Sequence, residues 1–330
     1  MYTKSMITRC ENQQEWDDYV NDLGGHPLQL WGWGSLKAAH NWSVTRLLYE
    51  QDGIKKGGAQ VLIRHLPWPF KRLAYIPRGP FGELGESAAA MAELVAYVKH
   101  TIGGLLVSTE PDKTGVEWGS GWRRSPNTIL IPRTAILDLA KSEQELLGDM
   151  TKKTRQYIRK SERDGVTIHQ IKTKEALEGV LAVYRYTAGR AHFALHGDAY
   201  YHDLYDMLGE NNLVYGAYYQ GKLVSFLWLA ISSSTAFELY GGMTETGQES
   251  RANYCLKWHA ITKCKEWGIT RYDMNGLLND GVSTFKEGFT NHENMLAGTY
   301  DYPLSPLYIV WAKLLPLGKK VFRSLKSLRK

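Results

Sequence analysis

The chain has 330 residues, long for one hydrophobic core, and its 43% apolar and 22% charged content is that of folded globular domains rather than disordered or fibrous chains. The longest uncharged run, Leu223–Phe237, is too short to cross a bilayer as a helix. The net charge of +6 is unevenly placed: Thr151–Arg163 holds six basic residues against one acid, and seven Lys or Arg with no acid follow Asp301.

In chain order, residues 1–30 lack the apolar core of a signal peptide, and residues 11–22 and 31–40 read as short helices around Gly24-Gly25. Two apolar runs then flank Gln51-Asp52-Gly53, a hairpin signal, and a second hairpin is expected within Leu213–Ile231. Both hairpins follow helical stretches and lead toward a further strand, "LAYIPRGP" or "AFELYGGM". The chain therefore reads as a duplication of two similar α/β units. Between them, Ile136–Ala140 is expected as a strand. Ser142–Arg163 is expected as one helix opened by the capping box Ser142-x-x-Glu145. Lys174–Thr187, Tyr200–Leu208 and Ala252–Trp267 follow as helices, and "RYDMNG" as a strand closed by a glycine turn. Strands and helices alternate throughout, which predicts α/β or α+β layers on mixed sheets. Leu304–Lys330 is amphipathic and basic.

The chemical signatures are mostly negative. There is no Walker A loop, no G-x-S-x-G elbow and no G-x-G-x-x-G after a strand. Cys10, Cys255 and Cys264 show neither metal-ligand spacing nor a paired framework, which fits a reducing, cytoplasmic location. Aromatic content is 12%, with 20 Tyr and 11 Trp, and suggests ligand-facing rings as well as core. "QLWGWG" (Gln29–Gly34) matches the Q-x-x-G-x-G loop that cradles coenzyme A pyrophosphate, but "NDLGGHPL" before it is not a strand. What remains is a set of Lys, Arg and Tyr residues in turns, suited to a phosphorylated or carboxylated ligand and to catalysis by positioning.

Five stretches in order resemble the FemABX peptidoglycan peptidyltransferases: "WGWGSLKAAHNW", "YIPRGP", the basic helix of "LDLAKSEQELLGDMTKKTRQYIRKSERDGV", "YDMNG" and "VSTFKEGF". The resemblance covers nearly the whole chain. It implies two tandem domains, each folded like a GNAT acyl-CoA N-acyltransferase. They are expected at 1–140, with a C-terminal tail (300–330) packing back on it, and at 141–299. No sustained heptad run is present, so the coiled-coil arm of some members is not expected.

The activity implied is transfer of an amino acid from aminoacyl-tRNA to the stem-peptide amine of a UDP-linked (UDP-MurNAc-pentapeptide) or lipid-linked cell-wall precursor. Ester to amide is downhill, so no cofactor or metal is expected. By this resemblance Lys286, with Phe285, meets the tRNA end and the developing oxyanion, although local sequence alone fits a surface lysine. Phe285 and Phe289 would clamp the lysine's stem. Lys37, Arg78, Arg190, His196, Tyr200 and Tyr240 are expected on the precursor's phosphates; His196 stands where relatives carry Arg, and Tyr240 equally suits a core position. Glu110 is expected near the acceptor amine, or else as a solvated residue before a turn. Lys152, Lys153, Arg155, Arg159 and Lys160 are expected on the tRNA backbone. Val321, Phe322, Leu325 and Leu328 among the basic residues of the tail suit peripheral contact with the inner face of a membrane. Two other readings remain: an acetyl-CoA-dependent GNAT N-acyltransferase, and a module that binds tRNA or precursor without transfer.

Overall fold

The structure, a computed structural model, describes residues 5–278 and 280–315. They fall into two compact units: residues up to Pro132 together with those from Met295 onward, and Arg133–Asn294. No helix of the described residues is long and apolar enough to cross a membrane.

The first unit runs β1 (Ser5–Arg9), α1 (Gln13–Asp22), α2 (Trp31–Ala39), β2 (Ser43–Gln51), β3 (Ile54–His65), β4 (Arg72–Pro77), α3 (Ala88–Tyr97) and β5 (Leu106–Glu110). The main strands lie in the order β1-β2-β3-β4-β5, and the late strand Tyr300–Pro303 pairs antiparallel with β5. The second unit runs β6 (Ile136–Asp138), α4 (Glu143–Asp149), α5 (Lys152–Arg163), β7 (Thr167–Gln170), α6 (Lys174–Ala191), α7 (Asp198–Leu208), β8 (Asn212–Tyr219), β9 (Lys222–Ile231), β10 (Thr235–Met243), α8 (Ala252–Glu266), β11 (Arg271–Asp273) and α9 (Gly281–Glu287). Its order is β7-β8-β9-β10-β11-β6. In each unit one pair is parallel, β4 with β5 and β10 with β11, because α3 or α8 carries the chain back across the sheet.

The likeness between the units reaches single residues. The β2–β3 turn has positive φ at Asp52 and Gly53, and the β8–β9 turn has it at Gln220 and Gly221. Two successive left-handed residues match the twist of the flanking strands. A bulge follows Tyr49 in one hairpin and Ala217 in the other, three residues before the first turn residue in both. An antiparallel strand lies beside the parallel pair in each sheet, but it comes from opposite ends of the sequence: Tyr300–Pro303 in the first unit, where the short strand Arg123–Arg124 pairs beyond it, and β6 in the second.

Each unit buries its own core. Met91, Leu94 and Val98 pack on Leu47, Val61, Ala74 and Val107 in the first, and Leu256, Ala260 and Ile261 on Tyr215, Leu229 and Ala236 in the second.

Several expectations are corrected. The Ile136–Ala140 strand, assigned to the first domain, belongs to the second unit, because Ile136, Leu137 and Asp138 pair with β11. The single helix over Ser142–Arg163 is two: Met150 is extended (φ −75°, ψ 152°), and Thr151 restarts the helix by accepting from the Thr154 amide. The capping box at Ser142 and Glu145 is present. The turn after β11 takes its left-handed residue from Asn275 (φ 57°) rather than from Gly276. Lys286 lies on a helix, α9, which Asp280 opens by accepting from the Ser283 amide. Val321, Phe322, Leu325 and Leu328 lie outside the described residues.

Candidate active site

The chemistry-bearing groups of the second unit gather where β11 ends beside the middle of β10. Asp273, fully buried, accepts from Thr134 Oγ1 (2.6 Å) and from the Asn275 amide (2.8 Å). Asn275 in turn donates from Nδ2 to the Glu238 carbonyl (3.0 Å). The loop is thereby fixed with two carbonyls facing α9, and Lys286 Nζ donates to both, Asn275 O at 2.8 Å and Gly276 O at 3.2 Å. An ammonium has three donors, and these are the two acceptors it meets among the described residues. Lys286 is half-buried, a fixed charge at a strand end rather than a mobile surface lysine.

Phe285 and Phe289 lie against a different lysine. Lys257 Nζ, on α8, is 5.1 Å from the Phe285 ring centre and 5.7 Å from that of Phe289. It pairs with Glu238 Oε1 at 2.5 Å, and Tyr272 donates to the same oxygen at 2.9 Å. Burial holds the Lys257 ammonium below its ordinary range; Glu238 pulls it up and the nearby Lys286 charge pushes it down. The sequence reading passed over Lys257, Glu238 and Tyr272. The only local signal was a lysine on the apolar face of a helix, at "CLKWHAI".

The basic helix α5 begins beside this site. The Thr151 amide donates to Gly288 O at 3.0 Å, two residues beyond Lys286. A Cβ added at Gly288 would lie 2.5 Å from Thr154 Oγ1, so only glycine allows this approach. Tyr254 links the elements further, 5.0 Å from Tyr157 of α5 and 4.9 Å from Phe285. Lys152, Lys153 and Arg159 are exposed. Two other expected cations are engaged within the fold. Arg155 Nη1 donates to Leu147 O (3.0 Å) and Met150 O (2.5 Å), closing the end of α4, and Lys160 pairs with Asp164 at 2.8 Å.

His196, Tyr200 and Tyr240 come together. The His196 ring stacks on Tyr200 with centres 4.0 Å apart, and Tyr240 hydrogen-bonds Tyr200 within a cluster that includes Tyr184 and Tyr201. Burial pushes the Tyr200 hydroxyl up to about 12, so these phenols act as neutral donors. Arg190 turns elsewhere, donating to Gln248 Oε1 at 3.1 Å in a surface groove with Tyr186, Glu245 and Glu249.

In the first unit the corresponding strand end holds Glu110, 1% exposed. It accepts from Tyr75 Oη, Thr299 Oγ1 (2.7 Å) and the amides of Ile129 (3.1 Å) and Leu130 (2.6 Å). Three of these donors meet Oε1 and Tyr75 meets Oε2, and burial, partly offset by these bonds, raises the Glu110 pKa. The Arg78 charge lies close enough to act on both Glu110 and Tyr75. Lys37, half-buried on α2 with its ammonium 4.3 Å from the Trp33 ring centre, is pushed by burial down to about 8. The Q-x-x-G-x-G residues are committed to packing. Gln29 bridges the Gln60 amide and Pro77 O, and a Cβ at Gly34 would lie 2.2 Å from Gln60 Oε1. This stretch follows a short 3-10 turn, Pro27–Gln29, and not a strand.

Comparison with known proteins is decisive at one level. A family model described as the FemAB family matches residues 110–223 and 222–315. The chain belongs to the FemAB family. This FemAB chain is 22% identical, over an alignment of 413 residues covering 95% of it and 98% of the relative, to a lipid II:glycine glycyltransferase of Staphylococcus aureus (strain MRSA252). Its fold is similar to the crystal structure of FemX, with a TM-score of 0.82, 19% identity and coverage of 94% of this chain and 100% of that one. It is also similar to a tandem GNAT protein from the clavulanic acid biosynthesis pathway, with a TM-score of 0.52, 11% identity, and coverage of 92% and 99%. Two tandem GNAT-like units are thus the architecture. The longest described helix, α6, has 18 residues and is not a coiled-coil arm.

Proposed function

We propose that this FemAB-family chain is an aminoacyltransferase that moves an amino acid from aminoacyl-tRNA to the stem-peptide amine of a peptidoglycan precursor. Support at the level of the reaction comes from the relative named lipid II:glycine glycyltransferase, which matches over nearly its whole length. The observation that carries the tRNA-dependent form is the seating of Lys286. Its ammonium is fixed by two carbonyls at a strand end, and Thr151, which caps the helix bearing exposed Lys152 and Lys153, bonds to Gly288, two residues beyond it.

The chemistry needs no more than these groups. The acceptor amine attacks the ester carbonyl, the C–N bond forms, and the carbonyl oxygen takes the negative charge. The third Lys286 donor meets that oxyanion. Collapse breaks the ester C–O bond; the tRNA ribose hydroxyl leaves and takes the proton that the amine loses. Lys257 is a positioning residue, holding the aromatic pair from which α9 presents Lys286. Each unit is assigned phosphate-binding groups of its own: Lys37 and Arg78 in the first, with Lys37 as a tunable charge, and His196, Tyr200 and Tyr240 in the second, with the tyrosines as neutral hydroxyl donors. Glu110 is assigned to holding the 129–130 loop and Thr299, whose donors all converge on its Oε1.

The test is incorporation of labelled amino acid into a UDP-linked or lipid-linked muropeptide, followed by mass spectrometry. The expected product gains one or more residues on the stem amine only when charged tRNA is present. Equal product from free amino acid or from acetyl-CoA would remove this reading.

A further inference from the structure

The last described segment has its apolarity the wrong way round for water. Residues 308–315 are helical, with Lys313 as their sole charge. Their inner face is satisfied: Tyr308 is buried and donates to Asp301 at 3.0 Å, and Trp311 packs on Phe70 with ring centres 5.1 Å apart. The outer face is apolar as well, with Ile309 60% exposed and Val310 and Leu314 nearly half exposed. A helix on a water-facing surface carries polar residues there. The loop that receives Trp311 shares the property. Leu66 and Phe70 pack with Trp311 and Ala312, while Trp68 between them is 93% exposed.

Charge identifies the occupant. Lys71, Arg72 and Lys313 are exposed in these two segments, and neither residues 53–82 nor residues 302–330 contain an acid. We propose that the Trp68 loop and the outer face of helix 308–315 together form a docking surface for an anionic lipid bilayer. Trp and aliphatic side chains enter the headgroup boundary while the cations meet lipid phosphates. RNA offers nothing to Ile309, Val310 and Leu314, and a second copy of the chain would bring like charges together. The consequence for activity rests on the transferase reading above: docking brings the chain to an acceptor embedded in the membrane.

The experiment is co-sedimentation of the full chain with vesicles of phosphatidylglycerol mixed into phosphatidylcholine, against phosphatidylcholine alone. Binding to the anionic vesicles is expected, weakened by salt and reduced about tenfold by the double substitution Trp68→Ser, Ile309→Ser, both at exposed positions. The double variant should keep wild-type transfer to a UDP-linked acceptor and lose transfer to a lipid-linked acceptor in vesicles. No binding by the wild type overturns the proposal, as does binding that the substitutions leave unchanged. Loss of self-association or of tRNA binding in the variant, without any vesicle binding, reassigns the surface to those partners. Vesicle binding without transfer to any acceptor would leave this surface standing and remove the transferase reading instead.

Discussion

Lys257 and Glu238 form an ion pair with side chains only 3% and 7% exposed, directly beneath the aromatic residue that precedes Lys286. Removing one partner leaves an uncompensated buried charge. Lys257→Met is therefore expected to destabilise the second unit by about 3–5 kcal/mol. The double variant Lys257→Met, Glu238→Gln should recover most of that loss. Urea unfolding of both variants checks it, and equal stabilities of single and double variants would show that the pair is not coupled.

Lys286 has a different signature. Its task is charge stabilisation in the transition state, so Lys286→Met should lower kcat roughly 10²–10³-fold. KM for the muropeptide should stay near wild type, and stability should fall by only about 1–3 kcal/mol, because the Asn275 and Gly276 carbonyls lose a donor. Steady-state kinetics with charged tRNA separates these quantities. Full turnover in Lys286→Met sinks the catalytic assignment.

Lys37 gives a pH dependence. Burial lowers its pKa from 10.5 to about 8 in the folded protein, so the charge offered to a phosphate fades as pH rises through 8. KM for a UDP-linked precursor should rise above that pH in the wild type, and Lys37→Met should show a high, pH-independent KM. Folding carries the opposite slope. The unfolded chain holds the proton more tightly between about pH 8 and 10.5, so stability rises with pH across that window, and the substitution removes the rise.

The cations of α5 divide into two classes. Lys152→Ala and Lys153→Ala should weaken tRNA binding for all sequences alike and flatten its salt dependence by about one unit per lost phosphate contact. Arg155→Ala should act on stability instead, by about 1–3 kcal/mol, because it strips a donor from the carbonyls that end α4. Filter binding across a salt series, read beside thermal melts, distinguishes the two.

Much of the fold was legible because its signals are short. Asp52-Gly53 and Gln220-Gly221 specify left-handed turns through the conformational freedom of a few atoms, and two such hairpins exposed the duplication. The Ser142–Glu145 capping box closes within one helical turn. The basic helix and the Phe-Lys pair were also readable, since charge and aromatic spacing are properties of the chain itself.

What only tertiary structure decided depends on distant partners. Met150 breaks the helix because Arg155 and Gly288 supply bonds that an intact helix would not need, and helical periodicity carries no mark of them. Ile136–Asp138 reads as a strand from either side; hydrogen bonding to Arg271–Asp273 assigns it to the second unit. Lys257 looks like any helical lysine until Glu238 and Tyr272, from two neighbouring strands, close over it. The sequence by itself determined the repeated α/β units and the basic face of the helix after Thr151. The tertiary structure decided which charges are committed to the fold, because burial and pairing are set by residues far apart in the chain.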